Sequence, residues 1–387
     1  MKSRSRLAGI AAALLAVSGI VVPALAEDAP GATVSGDWIT LGQYADQSGA
    51  NAAIGAARYG LDAYLQAANA QGGAHGKKLR LISYDDGYKP AQTAALVKKL
   101  VFEDSVFAIV GGVGSPTTAA VAPTLNDLGV PLVGMATGSP IFYEPTRKYV
   151  FPAWPLYTTD GKTMATFLKT HFAGKKVGII YQDDSFGKPI LAAVESVLGH
   201  VEEVPYSPGQ VEFSSAVVKL KAAGVDALVL ATIAAPAAQI LNELPKFNYA
   251  PVRVLTGSAC GYATIFKTVP SLEGAYCAAF LPTPESKDPQ WTAFEDAMAR
   301  YEQGHPAEIY SAWGWLAGQV AVEGLRRIRG PITREAFVAA LESIKGFHTI
   351  GGDLSYSAQS HRGIGGQFIW QAKNGRWLTV PNSKVEP

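Results

Sequence analysis

Two short loops rich in small residues carry the candidate chemistry of this chain. The first covers residues 111–115 (GGVGS) and runs into Pro116 at the start of a predicted helix, and the second covers residues 136–140 (ATGSP). A serine hydroxyl beside the unpaired N–H groups of a helix N-terminus can hold an anion, and small residues let a ligand approach the backbone. The loops therefore predict a carboxylate site, with simple helix capping by Ser115 and Ser139 as the alternative.

The sequence motifs of common catalytic and cofactor sites are missing from these loops and from the rest of the chain. The glycines of 111–115 lack the G-x-G-x-x-G spacing, and neither a G-x-x-x-x-G-K-[ST] loop nor a G-x-S-x-G elbow occurs. The six histidines are dispersed, without zinc-ligand spacing. The adjacent acids 85–86 and 183–184 follow strand-like segments, where neighbours point in opposite directions, so we interpret them as solvated turn or cap residues. We expect no enzyme activity, no cofactor and no metal.

Composition excludes two further classes of protein. Of 387 residues, 48% are hydrophobic and only 17% are charged, with 33 Lys and Arg against 32 Asp and Glu. A nucleic-acid-binding protein needs an excess of basic groups to neutralise phosphates, and a disordered chain has far fewer apolar residues. We therefore expect a globular protein of two domains that binds no nucleic acid.

The first 26 residues have the pattern of a cleavable export signal. Lys2, Arg4 and Arg6 precede an apolar run over 7–22, and Ala24-Leu25-Ala26 is an A-x-A cleavage pattern. The apolar run is short for the alternative, a transmembrane anchor. Cleavage after Ala26 removes three basic and no acidic side chains, which leaves 361 residues with a net charge of −2. We predict a periplasmic protein.

Two cysteines, Cys260 and Cys277, remain after the signal. An oxidising compartment allows them to form a disulfide, and the alternative is two small buried thiols, since Cys277 lies in a strand-like segment. The sequence leaves both alternatives open.

Strand-like and helix-like segments alternate along the rest of the chain. Apolar strands alternating with helices predict parallel sheets covered on both faces, the doubly wound α/β class, and their number requires two lobes. Pro- and Gly-rich breaks at 151–155, 280–284 and 351–353 predict a three-segment hinge, with residues 27–153 plus 283–351 in lobe 1 and 154–282 plus 352–387 in lobe 2. The predicted strands are 38–42, 79–84, 106–110, 131–135, 176–181, 227–231 and 252–255. The predicted helices are 51–70, 90–102, 289–303, 307–329 and 333–345, and Asn374-Gly375 predicts a terminal hairpin turn.

The ordered set of these motifs resembles a known family over essentially all of the mature chain. It is similar to the leucine/isoleucine/valine-binding branch of the periplasmic solute-binding proteins of ABC importers, which have the type I fold. The segments that carry the resemblance are 67–73 (AANAQGG), 81–89 (LISYDDGYK), 110–123 (VGGVGSPTTAAVAP), 131–139 (PLVGMATGS), 179–187 (IIYQDDSFG), and 213–215 with 220–226.

The resemblance implies that two lobes close around a small acid or amino acid and then dock on membrane permease subunits, with the binding protein a monomer. It places the ligand carboxylate on the hydroxyl and N–H of Ser115, beside Gly114, with the Ala136 carbonyl and the Gly138 N–H nearby. The implied ligand-binding residues are Gly114, Ser115, Ala136, Thr137, Gly138, Ser139, Trp154, Phe186, Ile233 and Tyr310, of which Phe186 covers the ligand and Tyr310, together with Trp313, shapes its pocket. Trp154, at the first crossover, is either a cleft wall or a structural hinge aromatic.

This chain departs from the family where an amino-acid ligand would place its ammonium group. The loop 256–261 (TGSACG) carries no acid, Ile233 begins a segment where many members have a Tyr, and Gly138 stands where a Thr hydroxyl would help. Burying an unpaired ammonium costs several kcal/mol. The pattern therefore favours an aromatic or branched oxo acid, or another organic acid, over a branched-chain or other hydrophobic amino acid. A ligand-sensing receptor with the same fold is the other alternative, because both roles use lobe closure.

Overall fold

The computed structural model describes residues 29–34, 36–49, 51–261 and 265–385. The predicted signal peptide and its cleavage point after Ala26 lie outside the described residues. Within the described residues, every helix is too short or too polar to cross a membrane.

The first sheet has five parallel strands in the order β2-β1-β3-β4-β5. They are β1 (Trp38–Ala45), β2 (Lys78–Asp85), β3 (Ala108–Val110), β4 (Leu132–Val133) and β5 (Val150–Phe151). The strands β1 and β2 pair along their full length, from Trp38 opposite Lys78 to Ala45 opposite Asp85. The helices between the first four strands are α1 (Ala57–Ala70), α2 (Pro90–Phe102) and α3 (Ser115–Asp127).

The second sheet has seven strands in the order β14-β13-β10-β9-β8-β6-β7. Its parallel strands are β6 (Val177–Gln182), β7 (Glu202–Tyr206), β8 (Ala227–Ala231), β9 (Val252–Leu255) and β10 (Tyr276–Ala279). Helices α4 (Tyr157–His171), α5 (Gly187–Leu198), α6 (Ser214–Ala222), α7 (Ala234–Glu243) and α8 (Ile265–Thr268) belong to this part of the chain.

The chain then returns to the first sheet before it finishes the second. Helices α9 (Pro289–Tyr301), α10 (Ile309–Arg327) and α11 (Arg334–Glu342) lead to a two-stranded sheet of β11 (Phe347–Thr349) and β12 (Gly352–Leu354). The antiparallel strands β13 (Phe368–Lys373) and β14 (Arg376–Thr379) complete the second sheet. The chain therefore passes between two lobes three times.

Helix α10 forms the centre of the first lobe because it packs against α1, β3 and β4. Its backbone lies directly on that of α1. A Cβ atom at Gly314 would lie 1.7 Å from the Ala57 carbonyl oxygen, and one at Gly60 would lie 1.7 Å from the Ser311 carbonyl oxygen. Only glycine allows two helix backbones to approach so closely.

Arg334, at the start of α11, fixes the N-terminal part of the described chain. Its guanidinium donates to the carbonyl oxygens of Ala29 (3.0 Å), Pro30 (2.7 Å) and Phe107 (2.9 Å). The side chain is almost completely buried. Charge-assisted hydrogen bonds to several carbonyls compensate for the cost of burying the cation.

The doubly wound, two-lobed α/β class predicted from the sequence is confirmed. The predicted helix 90–102 has the bounds of α2, and the hairpin turn at Asn374 and Gly375 joins β13 to β14. Several details were wrong, among them the strand predicted at 131–135, which is only Leu132–Val133. The predicted helix 51–70 begins as a 3-10 turn (Ala52–Ala56), and the stretch 351–353, expected to be irregular, contains the first residues of β12. The exact lobe boundaries stay a prediction.

Candidate functional site

The two small-residue loops meet between the lobes, as the carboxyl ends of adjacent parallel strands require. Val113 and Ala136 form a parallel bridge beyond β3 and β4, and the Gly114 N–H points to the Ala136 carbonyl at 3.4 Å. The Ser115 Oγ lies 2.8 Å from the Thr137 Oγ1 and donates to the Tyr157 hydroxyl oxygen at 3.3 Å. Because Tyr157 begins α4 of the second lobe, the last contact closes the site from the opposite side.

Helix capping by the two serines, the alternative interpretation, was wrong. The residue that caps α3 is Gly114, Ser115 is the first helical residue, and no side-chain cap bond forms there. Ser139 precedes a 3-10 turn, again without a side-chain cap bond, and its buried Oγ has no hydrogen-bond partner among the described residues. Both hydroxyls are thus available for another purpose, and Ser115 directs its hydroxyl to other side chains in the cleft.

Gly138 packs tightly against the first crossover between the lobes. A Cβ atom at Gly138 would lie 2.1 Å from the Pro155 carbonyl oxygen and 2.9 Å from the Tyr157 nitrogen, while the Gly138 carbonyl accepts from the Tyr157 N–H at 2.8 Å. A threonine would not fit here. The Gly138 backbone also makes a hydrogen bond to the Tyr157 hydroxyl. This departure from the family pattern therefore has a steric reason.

Two aromatic rings of the second lobe cover the serine site. Phe186 is 1% exposed, and its ring meets that of Tyr157 edge to face with 5.0 Å between centroids. Burial raises the pKa of Tyr157 to about 12, so its hydroxyl stays protonated and can donate a hydrogen bond at neutral pH. The expectation placed Phe186 over the ligand, whereas sequence reasoning missed Tyr157, which has no motif of its own.

A second aromatic group lies at the hinge. Trp154 meets Trp313 and Phe280 edge to face, with centroid distances of 4.5 and 4.6 Å, and Trp313 meets Tyr310 at 4.7 Å. The Tyr310 hydroxyl donates to the Ser258 carbonyl of the second lobe at 3.2 Å. Trp154 thus joins both crossovers to α10, as a structural hinge aromatic does, and its role as a cleft wall stays a prediction.

The predicted residue Ile233 lies at the start of α7, and it is nearly buried. Sequence reasoning noted that no tyrosine follows this position, but the structure brings one from β7: the Tyr206 hydroxyl makes a hydrogen bond to the backbone of Ile233 and donates to the Gln182 Oε1 at 3.1 Å. The Gln182 Nε2 in turn lies 3.4 Å from the hydroxyl of Tyr88 in the first lobe. Tyr206, Gln182 and Tyr88 are therefore a second interlobe contact that the sequence did not indicate.

Three acids follow strand ends at the cleft, and each already has partners for both carboxylate oxygens. Asp46 accepts from two backbone N–H groups, and Asp86 accepts from the Tyr88 N–H at 3.0 Å and the Thr93 hydroxyl at 2.8 Å. Asp184 accepts from the Gln182 Nε2 at 2.6 Å and the Phe186 N–H at 2.7 Å. Asp86 is completely buried, so the expectation that it is solvated was wrong. Burial raises its pKa to about 6.

The acid-free loop 256–261 is held in place from several sides. The Thr256 hydroxyl donates to the Thr232 carbonyl at 2.9 Å, and the Trp377 indole N–H donates to the Cys260 carbonyl at 3.1 Å. Cys260 is paired with Cys277 of β10, with 6.0 Å between their Cα atoms. The Oγ1 atom of Thr232, the residue before Ile233, is buried and has no hydrogen-bond partner among the described residues.

One group of side chains in the described part of the chain has the proximity of metal ligands. Atoms of Glu195, His200 and Glu203 lie within 4.8 Å of one another, which the scattered sequence positions did not predict. His200 is exposed, and Glu195 is at the end of α5 opposite to Phe186. The group is remote from the cleft, and exposed acids of this kind are common without a metal.

Two α/β lobes meet at a buried serine, and a group of aromatic rings lies at the hinge between them. The sequence profile described as periplasmic binding protein matches residues 39–376, and the chain belongs to this family. Members of this family are binding proteins of the periplasm.

Two relatives show the range of sequence similarity. Leu/Ile/Val-binding protein homolog 3 of Brucella melitensis is 26% identical over 326 residues, which cover 82% of this chain and 87% of that protein. An amino acid binding protein of Pseudomonas aeruginosa is 24% identical over 241 residues, 61% of this chain and 62% of that protein. The match to the Pseudomonas protein therefore spans less than two thirds of its length. These matches confirm the resemblance to the leucine/isoleucine/valine-binding branch.

Solved structures share the fold over nearly the whole chain. A possible leucine/isoleucine/valine-binding protein of Rhodopirellula baltica has a TM-score of 0.82 at 23% identity, covering 92% of this chain and 98% of that one. A solute binding protein of R. palustris in complex with benzoate has a TM-score of 0.80 at 19% identity, with coverage of 90% and 98%. A branched-chain amino acid binding protein of Streptococcus pneumoniae in complex with isoleucine has a TM-score of 0.78 at 21% identity, with coverage of 90% and 99%.

Proposed function

We propose that this chain is the solute-binding protein of an ABC importer and that it binds a small carboxylate without an ammonium group. The favoured ligands are aromatic or branched oxo acids and related organic acids. The observation that carries the proposal is the buried Ser115 hydroxyl, which makes no helix cap and instead meets Thr137 and Tyr157 in the closed cleft.

The carboxylate would be held by hydroxyl and backbone donors instead of a cation. Ser115 and Tyr157 each offer an O–H, and Gly138 and the first turn of α3 offer N–H groups. Hydrogen bonds to an ionised acceptor are about twice as strong as those between neutral groups, so a few such donors compensate for the desolvation of a carboxylate. Phe186 and the wall formed by Trp154 and Trp313 would enclose an apolar or aromatic body.

An α-ammonium group would have no charged partner at this position. The acids that follow the strand ends, Asp46, Asp86 and Asp184, are engaged by the protein's own donors, and loop 256–261 has none. The alternative ligand is an amino acid, because two of the relatives are named for amino-acid binding. The R. palustris protein, which has the same fold, binds benzoate in its solved structure.

Isothermal titration calorimetry with a matched ligand pair tests the proposal directly. Leucine and 4-methyl-2-oxopentanoate differ only at C2, where one has an ammonium and the other a carbonyl oxygen. We expect the oxo acid to bind at least tenfold more tightly, and benzoate and phenylpyruvate extend the series to aromatic acids. Tighter binding of leucine would show that the ammonium has a partner and that the ligand class is wrong.

The transport role has its own experiment. Deleting the gene should abolish uptake of the labelled ligand, and mass spectrometry of ligand released by denaturing the freshly purified protein should identify the natural acid. Normal uptake together with a lost transcriptional response would instead assign the protein to ligand sensing. N-terminal sequencing of the exported protein should begin at Glu27, and its mass in solution should be that of a monomer.

A further inference from the structure

A small aromatic cavity lies at the lobe boundary, apart from the serine site. Its volume is about 120 Å³, several times what one water molecule needs. The first lobe contributes Trp291 and Glu308, and the second contributes Phe266, Trp370 and Trp377. Four aromatic side chains and the acid Glu308 thus face a common space, and Glu285 and Arg376 also belong to its lining.

Glu308 is the unusual member of this group. It is 8% exposed, and it lies at the residue before α10, where its side chain accepts from the backbone of Ser311 in a capping box. The cap uses one carboxylate oxygen, and Oε2 is buried with no hydrogen-bond partner among the described residues. The indole N–H of Trp370, on the other side of the same cavity, is likewise buried and unpartnered among them. The buried Oε2 lacks a donor or a cation, and the buried indole N–H lacks an acceptor. Unpartnered buried polar atoms are costly, and a ligand that carries both a cationic head and a hydroxyl group would supply both partners.

We propose that Glu308 and the aromatic rings of Phe266, Trp291, Trp370 and Trp377 form a binding site for a small organic ammonium group. A cation is attracted to the faces of Trp and Phe rings and to a carboxylate, and the attraction is largest where water is excluded. An organic anion would meet the Glu308 carboxylate instead. The site does not depend on the proposed carboxylate ligand, because none of its residues contacts Ser115 or Thr137 in the hydrogen bonds and ring contacts of the described residues.

The charged groups around Glu308 do not neutralise its carboxylate, so a cation could still pair with it. At the rim of the cavity the Arg376 guanidinium lies 3.9 Å from Glu285, so these two groups compensate each other. On the opposite side Glu308 also lines a groove with Arg58 and His305, and the His305 ring stacks on Tyr59 at 3.5 Å. Burial raises the pKa of Glu308 to about 8. A bound cation therefore displaces the carboxyl proton at neutral pH, and cation affinity should rise between pH 6 and pH 9.

Choline and its neutral isostere 3,3-dimethylbutan-1-ol are the probes, with n-butylammonium as a primary amine. Calorimetry and tryptophan fluorescence on the full mature protein should show binding of a cation and at least tenfold weaker binding of the alcohol. Glu308→Gln keeps the shape of the side chain and should weaken cation binding at least tenfold. Glu285→Gln, which leaves Arg376 at the rim without its acid, should weaken cation binding less than Glu308→Gln does. The matched control is Glu103→Gln, an exposed glutamate outside the cavity lining, which should change cation binding less than twofold, and circular dichroism shows whether each variant is folded.

Several results would overturn the proposal. Equal binding of choline and the alcohol would show that the cavity selects for apolar groups and not for a cation. If neither choline nor n-butylammonium binds, the cavity is not a cation site and holds only water. A loss in Glu285→Gln equal to that in Glu308→Gln would place the cation at the rim. Ser115→Ala should leave the affinity for choline unchanged. If this variant loses affinity for both choline and the oxo acid, the two ligands share one site and the proposal of a separate cation site is wrong. If Glu308→Gln does not fold, the pH dependence of the wild-type protein decides, and affinity that is constant from pH 6 to pH 9 refutes the role of Glu308.

Discussion

The substitution Ser115→Ala tests the proposed carboxylate site most directly. In the closed cleft the Ser115 Oγ lies 2.8 Å from the Thr137 Oγ1 and 3.3 Å from the Tyr157 hydroxyl, so a bound carboxylate would replace one of these partners. A hydrogen bond to a charged group is worth about 1.5–3 kcal/mol, which corresponds to a roughly 10- to 150-fold increase in Kd. We expect the lower half of this range, because the Tyr157 hydroxyl is close enough to donate in place of the serine.

The same geometry predicts coupling between the two residues. Tyr157→Phe keeps the ring that meets Phe186 and removes only the hydroxyl, and the double variant should lose more affinity than the two single losses combined, since each hydroxyl substitutes for the other. Calorimetry with 4-methyl-2-oxopentanoate measures all four Kd values. Ser196→Ala is the matched control, because the exposed Ser196 hydroxyl donates only to the Ala193 carbonyl of its own helix at 2.7 Å. A change of less than twofold in Ser115→Ala would remove Ser115 from the site.

Three further predictions concern closure and stability. Gly138→Ala places a methyl group 2.1 Å from the Pro155 carbonyl oxygen, so this variant should hold the two lobes apart. Small-angle X-ray scattering with saturating ligand should then show no compaction of the variant. Compaction equal to that of the wild-type protein would contradict the steric argument. Burial raises the pKa of Asp160 to about 7, so the folded state holds the carboxyl proton more tightly than the unfolded chain does. The contribution of Asp160 to stability should therefore be highest below about pH 4 and fall as the pH rises to about 7. Asp160→Asn should flatten that part of the plot of urea midpoint against pH, whereas an unchanged slope would assign the pH dependence to other groups. The Cys260–Cys277 disulfide closes a loop of 17 residues. Its reduction should lower the free energy of unfolding, measured in denaturant titrations, by ~3 kcal/mol. The control is the double variant Cys260→Ala/Cys277→Ala, whose stability should not respond to reductant.

The fold was largely predictable because its signals are local. Apolar strands, a proline at the start of α2 and the Asn374-Gly375 turn each act within a few residues, and the resulting strand ends bring Ser115 and Gly138 together. The 3-10 start of the predicted helix at residue 51 and the strand at Gly352 were missed because packing and pairing with distant residues decide them.

The site was only partly predictable because its second half comes from distant strands. Tyr157 and Tyr206 approach the cleft only after both sheets have formed and the lobes have closed, and no spacing in the sequence links them to Ser115. The Ser115 hydroxyl itself could equally have capped α3, and only its contact with Thr137 separates the two roles. Glu308 gave no signal at all, because an acid before a helix is ordinary until its burial is known.

The contacts of Arg334 impose an order on the assembly of this molecule. The cation binds the Ala29 carbonyl, 305 residues earlier in the chain, and α10, which fills the first lobe, also comes from the last quarter of the sequence. A chain that is synthesised from its N-terminus therefore cannot complete its first lobe until residue 334 is available. Closing so long a loop is slow and costs entropy, so the segment at Ala29 is anchored late in folding. The arginine thus fixes the beginning of the described chain only when almost all of the first lobe is in place.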